Sequence, residues 1–506
     1  MNVYLMFRDH DFNPEAEHEF DSDTLASDLE LKRIFEVMSL DDKVIASVCA
    51  SAMLHPLQDK EEILYRQAIV MDSIANPEAV RTLYGITIEA QKRIRQSWSW
   101  LSLTQSVSCV FSSAVSLLKI YVEMLLRLRK VAENETQNFH SDGFIRLLTM
   151  LQSELNDTYF HKIKELLHEL ENGRGMLISA TLGSCNQGVN YVLRRKETDH
   201  FRRHWFFAPA YTLSERDDAG FADLSNRRER AVNESSNALA QASEHVGYFF
   251  KQLRQELAFY AGCLNLHEAL HARKMPAVMP EILPPDKEER SYKFLYDPAL
   301  ALTTPSPVTG NGLDVVNKRL YIITGANQGG KSTCLRSVGQ AQLMMQCGMF
   351  VGAEKFTAPI RKRVFTHFKK EEDKNGISGK LDEELARMDE IASHLEPECL
   401  VLFNESFAAT NEREGSEICR QITSALVENG IEVFSVTHLY TYAASFLGYA
   451  PCGVQYLKAE RTPGNRRTFK IISGEPEPTA FGKDLYHKIF EDSNNPSCFY
   501  CFLANK

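Results

Sequence analysis

The apolar positions of this chain fall into two regimes. From about residue 28 to residue 283 they recur every three to four residues, the spacing of helices that bury one face. Clear examples are 29–38, 61–73, 144–171 and 230–271. The last run carries Leu239, Ala242, Val246, Phe249, Phe250, Leu253, Leu257, Tyr260 and Leu264 at helical spacing. That pattern predicts a single long helix, the spine of a bundle or a lever. One segment, 194–226, breaks the periodicity. It is rich in aromatics, Pro and Gly, and reads as an insertion at the far end of two long helices. A proline-rich stretch, 275–290, reads as a connection. Beyond it short β-type runs alternate with helical ones, the signature of a three-layer α/β domain.

With 506 residues the chain is too long for one core. The expected organisation is a 1–27 N-terminal segment, a 28–288 helical domain with the 194–226 insertion, and a 289–506 α/β domain. A hydrophobic fraction of 44% and a charged fraction of 25% are those of an ordinary globular protein. The net charge of −10 excludes a protein coated in basic residues for bulk nucleic-acid binding, so any DNA contact must be local. No signal-peptide pattern opens the chain. The most apolar helical stretch, 106–128, is interrupted by Lys119, Glu123 and several serines, so it reads as a core helix rather than a membrane span. A cytoplasmic protein is expected, its eleven cysteines reduced and mostly buried. The lone pair Cys498 and Cys501 is a weak zinc or redox signal.

The chemistry concentrates in TGANQGGKSTCLRS, 324–337, between a β-type run (320–323) and a helical run (334–349). Gly325, Gly330, Lys331 and Ser332 have the spacing of a phosphate-binding loop. Backbone N–H groups from Gly325, Ala326, Asn327, Gln328, Gly329, Gly330, Lys331, Ser332 and Thr333 would cradle ATP phosphates at a helix N-terminus. Lys331 would reach the terminal phosphates, and the Ser332 hydroxyl would ligate Mg²⁺. Downstream, the apolar run 399–403 ends in Asn404 and Glu405. Glu405 is placed as general base for the attacking water. Asn404 stands where an Asp would order hydrated Mg²⁺; it brings no charge, so weak metal affinity and slow turnover are expected. Ser378 and Gly379 precede a helix starting near Lys380. Ser378 reads as a helix cap, and it can also be a ligand for the γ-phosphate of an opposite subunit, since the two roles can coexist. His438 follows the run 433–436, either incidental or a γ-phosphate sensor.

These motifs together resemble the ATPase domain of the MutS mismatch-repair family, a branch of the ABC ATPases. The resemblance runs from TGANQGGKST through LVLFNESFAATNEREG and VTHLYTYAASF to LKAERTPGNRRTFKIISGEPEPTAFGKDL. It reaches back to LHPLQDKEEILYRQAIV, 54–70, similar to the start of the family's core/lever domain. It implies a multidomain fold, a long α-helical core/lever domain followed by an α/β ABC-type P-loop ATPase domain. It also implies ATP and Mg²⁺ as cofactors, Lys331, Glu405 and His438 as catalytic residues, and Ser332, Asn404 and Glu405 around the metal. Ser378 would act in trans, with Thr410 in the D-loop at a homodimer interface. The chain departs from the family pattern at Asn404, at Gly379, and at Ala408 and Ala409. No aromatic residue for adenine stacking stands in 305–311. The core/lever resemblance has begun by 54, which leaves no room for the mismatch-recognition and connector domains, and no nuclease-like extension is expected after the ATPase.

The expected activity is therefore an ATP-switched dimeric clamp that reads DNA shape, whether duplex, branched or junction, rather than mismatches. Arg194, Arg195, Lys196, Arg202 and Arg203 at the front of the insertion form its candidate DNA contact; Glu197, Asp199, Glu215, Asp217 and Asp218 leave open a merely solvated loop. The alternative is a nucleotide-gated scaffold for a protein partner, suited by the negative charge and by Trp205, Phe206 and Phe207. A small-molecule or transport ABC enzyme is disfavoured by the helical region.

Overall fold

The computed structural model describes residues 1–15, 20–98, 106–171, 176–194, 211–370, 379–448, 453–461 and 467–476. They divide into two compact units: residues 1–12 with 75–258, and residues 13–74 with 259–506.

The first unit is built on helices Pro77–Trp98, Val107–Glu135, Asp142–Glu154 and Asp157–Glu171 and on the long helix Asp218–Ala272, whose last turns, from 259, belong to the second unit. Among the described residues, Val107–Asn138 is the one helical stretch long and apolar enough to cross a membrane by length and composition alone. Phe111, Ala114, Val115, Leu118, Val122 and Leu125 are buried at helical spacing, so half of it is core. The run 144–171 is two helices rather than one. The first stops at Leu155, and Asn156 Oδ1 accepts the Tyr159 N–H at 2.9 Å to open the second. The long helix likewise starts earlier than its apolar pattern. Asp217 Oδ1 accepts the Gly220 N–H at 2.8 Å, capping a helix that begins at 218, inside the stretch read as non-helical. An antiparallel hairpin, β1 (Leu177–Leu182) and β2 (Gly188–Arg194), stands where only helices were expected.

The second unit holds two sheets. Strands β3 (Glu281–Leu283), β4 (Glu289–Leu295), β5 (Asn311–Val316) and β7 (Lys355–Pro359) form a four-stranded sheet in the order β3-β7-β4-β5. Strand β3 and the start of β4 fall within the proline-rich stretch expected to be a plain connection. The larger sheet contains β6 (Lys318–Thr324), β8 (Val364–Phe368), β9 (Leu400–Asn404), β10 (Glu432–Val436), β11 (Gly453–Arg461) and β12 (Arg467–Ser473), ordered β12-β11-β6-β10-β9-β8. All neighbours are parallel except β11 and β12. Strands buried on both faces read as near-continuous apolar runs, which is why 320–323, 399–403 and 433–436 (interrupted only by Ser435) were visible in the sequence. Helices Lys331–Gln346, Lys380–Ala392 and Glu412–Glu428 follow β6, β8 and β9.

Residues 13–74 fold with this unit rather than with the helical one. Backbone carbonyls tie them in: Gln340 Nε2 donates to Leu29 O at 2.8 Å, Gln346 Nε2 to Leu57 O at 2.9 Å, and Asn265 Nδ2 to Met38 O at 2.8 Å. Arg66, fully buried, donates to Cys347 O at 3.2 Å. A hydropathy pattern carries none of these polar contacts. The domain architecture is thus multidomain α/β with helices and mixed sheets.

Candidate functional site

The site is assembled at the C-terminal ends of β6, β10 and β9, which lie side by side in the larger sheet. Two backbone bonds fix the three exits against one another. Thr437 N–H, just past β10, donates to Ile323 O at 3.1 Å, and Glu405 N–H, just past β9, donates to Val436 O at 2.9 Å.

From β6 the chain enters the glycine loop and then helix Lys331–Gln346. Gly325 has φ 117° and Gly330 φ 90°, conformations that favour glycine. Each is also pressed by the β11–β12 ribbon. A Cβ on Gly325 would meet Ala459 N at 3.0 Å, and one on Gly330 would meet Phe469 O at 3.1 Å. Gln328, at φ 57°, is held by Arg467 Nη1, which donates to its Oε1 at 2.5 Å. A cleft opens between Thr324–Gly325–Ala326 and 458–461 of β11. Arg467 and this cleft were not legible in the sequence, because β12 lies some 140 residues downstream and only strand order brings it to the loop.

Lys331 is buried, and its ammonium donates to Gly325 O at 2.9 Å and Ala326 O at 3.0 Å. Burial pushes its pKa down to about 8, with nearby Glu405 opposing the shift. His438 Nε2 lies 2.8 Å from Glu405 Oε1 and 3.4 Å from Lys331 Nζ. The hydrogen bond from His438 holds the Glu405 carboxyl below the usual range, against a smaller opposing effect of burial. Glu405 itself has φ 56°, a left-handed backbone that costs about 1 kcal/mol or more for a side chain of its type. Ser332 Oγ donates to Asn404 Oδ1 at 2.9 Å. The residues singled out from sequence at 331, 332, 404, 405 and 438 thus converge. Ala326, Asn327, Gly329 and Thr333 lie in the same loop and first turn.

This arrangement can take a polyphosphate. Glycine flexibility, inward backbone N–H groups, a helix N-terminus and a buried lysine are the parts such a loop uses. Among the described residues no cluster of three His, Cys, Asp or Glu side chains could hold a metal alone. Ser332 Oγ and Asn404 Oδ1 are paired oxygen atoms of the kind a hard divalent cation takes alongside phosphate and water.

Other expected residues fall elsewhere. Ser378 lies outside the described residues; Gly379 is the N-cap residue of helix Lys380–Ala392. Thr410 Oγ1 donates to Glu414 Oε2 at 2.6 Å on the surface. Arg194 ends β2, exposed, and donates to Ser179 Oγ at 2.8 Å. Arg195, Lys196, Arg202, Arg203, the aromatic group 205–207, and Cys498 and Cys501 lie outside the described residues.

Fold and site define a parallel-sheet protein built around a strand–glycine loop–helix unit. Residues 58–273 match the MutS2 N-terminal domain, and residues 321–452 match MutS domain V. The chain is 36% identical over 124 residues to the DNA mismatch repair protein MutS of Thermotoga maritima, 24% of this chain and 15% of that protein. It is 33% identical over 159 residues to the Endonuclease MutS2 of Thermus thermophilus, covering 31% and 21%. The Endonuclease MutS2 of Shouchella clausii is 25% identical over 278 residues, covering 54% and 33%. The chain is a member of the MutS family. It spans only 15% to 33% of the length of these curated relatives.

Proposed function

We propose that this chain is an ATP-dependent DNA-binding protein of the MutS type, a nucleotide-switched homodimeric clamp whose ABC-type ATPase domain drives its helical core/lever region. The observation that supports the reading most directly is the meeting of Lys331, Glu405 and His438 beside the glycine loop. Lys331 exchanges its loop carbonyls for phosphate oxygens. Glu405, deprotonated at neutral pH, accepts the proton of the attacking water, and the His438 N–H holds that carboxylate in place. Ser332, Asn404 and Glu405 would surround Mg²⁺, which when bound would neutralise phosphate charge. Asn404 offers an amide oxygen where a carboxylate would add charge, so metal affinity is weak and turnover slow. Ser378 would complete the nucleotide site of the opposite subunit. Arg194, Arg195, Lys196, Arg202 and Arg203 would contact DNA phosphates, giving recognition of shape rather than mismatch. The protein would work in the cytoplasm, where its free thiols stay reduced.

One observation favours the scaffold alternative. The β1–β2 hairpin exposes Leu182 at 75%, with Val189 and Val192 also exposed, a surface better suited to protein than to phosphate. Sedimentation of Glu405→Gln with ATP tests the switch: the variant should retain ATP and accumulate as a dimer, whereas a monomer under all conditions removes the composite-site reading. A salt series on duplex and branched DNA separates the partners. Salt-dependent binding supports the clamp, and no binding at low salt supports the scaffold.

A further inference from the structure

Helix Lys380–Ala392 is joined to the segment leaving β9 by buried hydrogen bonds that take no part in holding nucleotide. Glu384, in the second turn of that helix, is buried, and its Oε2 accepts the Phe407 N–H at 2.6 Å. His367 on β8 is fully buried. Its Nδ1 lies 2.8 Å from Ser406 Oγ, and its Nε2 lies 3.0 Å from the Glu384 carbonyl oxygen. The imidazole stacks on Phe407 at 5.0 Å and meets Phe403 edge-on at 5.9 Å. Ser406 and Phe407 are the two residues directly after Glu405, and Phe407, like Glu405, has a left-handed backbone with φ 59°.

Apolar packing alone would not place a carboxylate and an imidazole here, because burial penalises the charged form of each. It pushes the Glu384 carboxyl up and the His367 ring down to about 4. His367 is therefore neutral at pH 7, with one ring N–H. The Glu384 carbonyl can only accept, so that hydrogen sits on Nε2 and leaves Nδ1 as an acceptor. The Ser406 hydroxyl donates to the His367 carbonyl oxygen at 2.6 Å and can share its single hydrogen with Nδ1 at 2.8 Å. Lys369, Lys380 and Arg387 surround the Glu384 carboxylate and favour its charged form. The helix thus grips the residues following Glu405 twice, once through its side chain on a backbone N–H and once through its backbone on an imidazole.

We propose that Glu384 and His367 are positioning residues for hydrolysis, fixing the Glu405 carboxylate only when helix Lys380–Ala392 is docked against β8 and β9. The proposal rests on the ATPase reading of Glu405. A helix that moves when the opposite subunit closes would carry that movement to the general base through Ser406 and Phe407.

The test measures ATP affinity and single-turnover hydrolysis on the full chain for wild type, Glu384→Ala, Glu384→Gln, His367→Gln and Ser406→Ala. Glu384→Ala should lower the hydrolysis rate about tenfold while the Kd for ATP stays within about twofold, the effect of a lost charge-assisted hydrogen bond felt only at the reacting water. Glu384→Gln should recover most of the rate, because its amide oxygen still accepts from Phe407 N–H. His367→Gln keeps a donor toward the Glu384 carbonyl but moves its acceptor oxygen away from the Nδ1 position that faces Ser406, and should fall between the two. If Glu384→Ala does not fold, Ser406→Ala carries the same expectation of a slower rate with ATP binding kept. A rate per bound ATP equal to wild type in these variants overturns the proposal, as does a parallel loss of binding and folded fraction with no recovery in Glu384→Gln. A wild type that binds ATP without hydrolysing it also overturns the proposal. A wild type that fails to bind ATP overturns instead the reading of the site beneath it.

Discussion

Strand β10 carries a charged cluster at each end, and the two are opposites. At its start Glu432 is gripped by two arginines. Arg290 donates to both carboxylate oxygens at 2.9 and 2.8 Å, and Arg361 Nε donates at 2.8 Å. The Arg290 and Glu432 side chains are 1% and 2% exposed, and Gln342 Oε1 accepts a further Arg290 N–H at 3.0 Å. Just past its end His438 meets Glu405 and Lys331, with His438 and Glu405 side chains 26% and 33% exposed. The first cluster is sealed, with both carboxylate oxygens engaged and only the Arg290 Nη1 group left without a partner. The second is partly open to solvent through His438 and Glu405, while its lysine is buried on carbonyls of its own loop. Charges that have spent their hydrogen bonds on each other hold an architecture, whereas charges that face water and exchangeable partners can act on a ligand.

The comparison breaks most readily at Glu432. Glu432→Ala leaves two buried guanidiniums without their acceptor, a loss on the order of 3–5 kcal/mol in thermal or urea unfolding. Burial pushes the Glu432 carboxyl up, but the two guanidiniums prevail and hold it at about 2. A carboxyl whose folded pKa is depressed contributes stability above its unfolded value and loses it as pH falls. This cluster's contribution should therefore disappear between about pH 4.5 and pH 2. Unfolding midpoints measured down that range, in wild type and variant, should converge. A Glu432→Ala protein as stable as wild type would mean the sealed cluster holds nothing.

At the open cluster the next effect is one of proton linkage. Lys331 titrates near pH 8, lowered by burial, so above that pH the free protein has lost the charge that ATP phosphates would pair with. ATP binding should then take up about one proton, and affinity should fall by up to about tenfold per pH unit above pH 8. Calorimetry in buffers of different ionisation enthalpy reads the proton directly. Pure ATP binding with no uptake at pH 9 would place the charged lysine elsewhere.

A smaller effect sharpens the open site's chemistry. Asn404→Asp adds a charge beside Ser332 Oγ and should strengthen apparent Mg²⁺ affinity, seen as a lower midpoint in a Mg²⁺ titration of the ATPase rate. An unshifted midpoint would remove Asn404 from the metal's surroundings. The smallest expected effect concerns Arg194 and its basic neighbours. Neutralising a side chain that pairs with a DNA phosphate should lower the salt slope of duplex binding by about 0.9 for each such pairing removed. An unchanged slope would move the DNA-binding surface away from 194–203.

What the sequence could show follows from the same contrast. The open site was legible because its parts are local. The glycine loop is one continuous motif, and Asn404, Glu405 and His438 each stand at the end of an apolar run that marks a buried parallel strand. The sealed cluster was invisible, since Glu432 lies 71 residues from Arg361 and 142 from Arg290, and single charges at such separations carry no pattern. The His367–Glu384–Phe407 grip was missed for the same reason. The β1–β2 hairpin was missed because its strands are half exposed and lack the regular alternation that separates strand from helix. Residues 28–74 were assigned to the helical half because helical periodicity says nothing about which core a helix joins.

The difference between the two clusters is tested most directly by thermal unfolding of wild type, Lys331→Ala and Glu432→Ala, each with and without saturating Mg²⁺ and ATP. A ligand bound only by the folded state raises the unfolding temperature according to its affinity. The account predicts that wild type shifts upward with nucleotide. Lys331→Ala should unfold at the wild-type temperature but lose the shift, and Glu432→Ala should unfold at a lower temperature. A Lys331→Ala protein that keeps the full nucleotide shift would contradict the account.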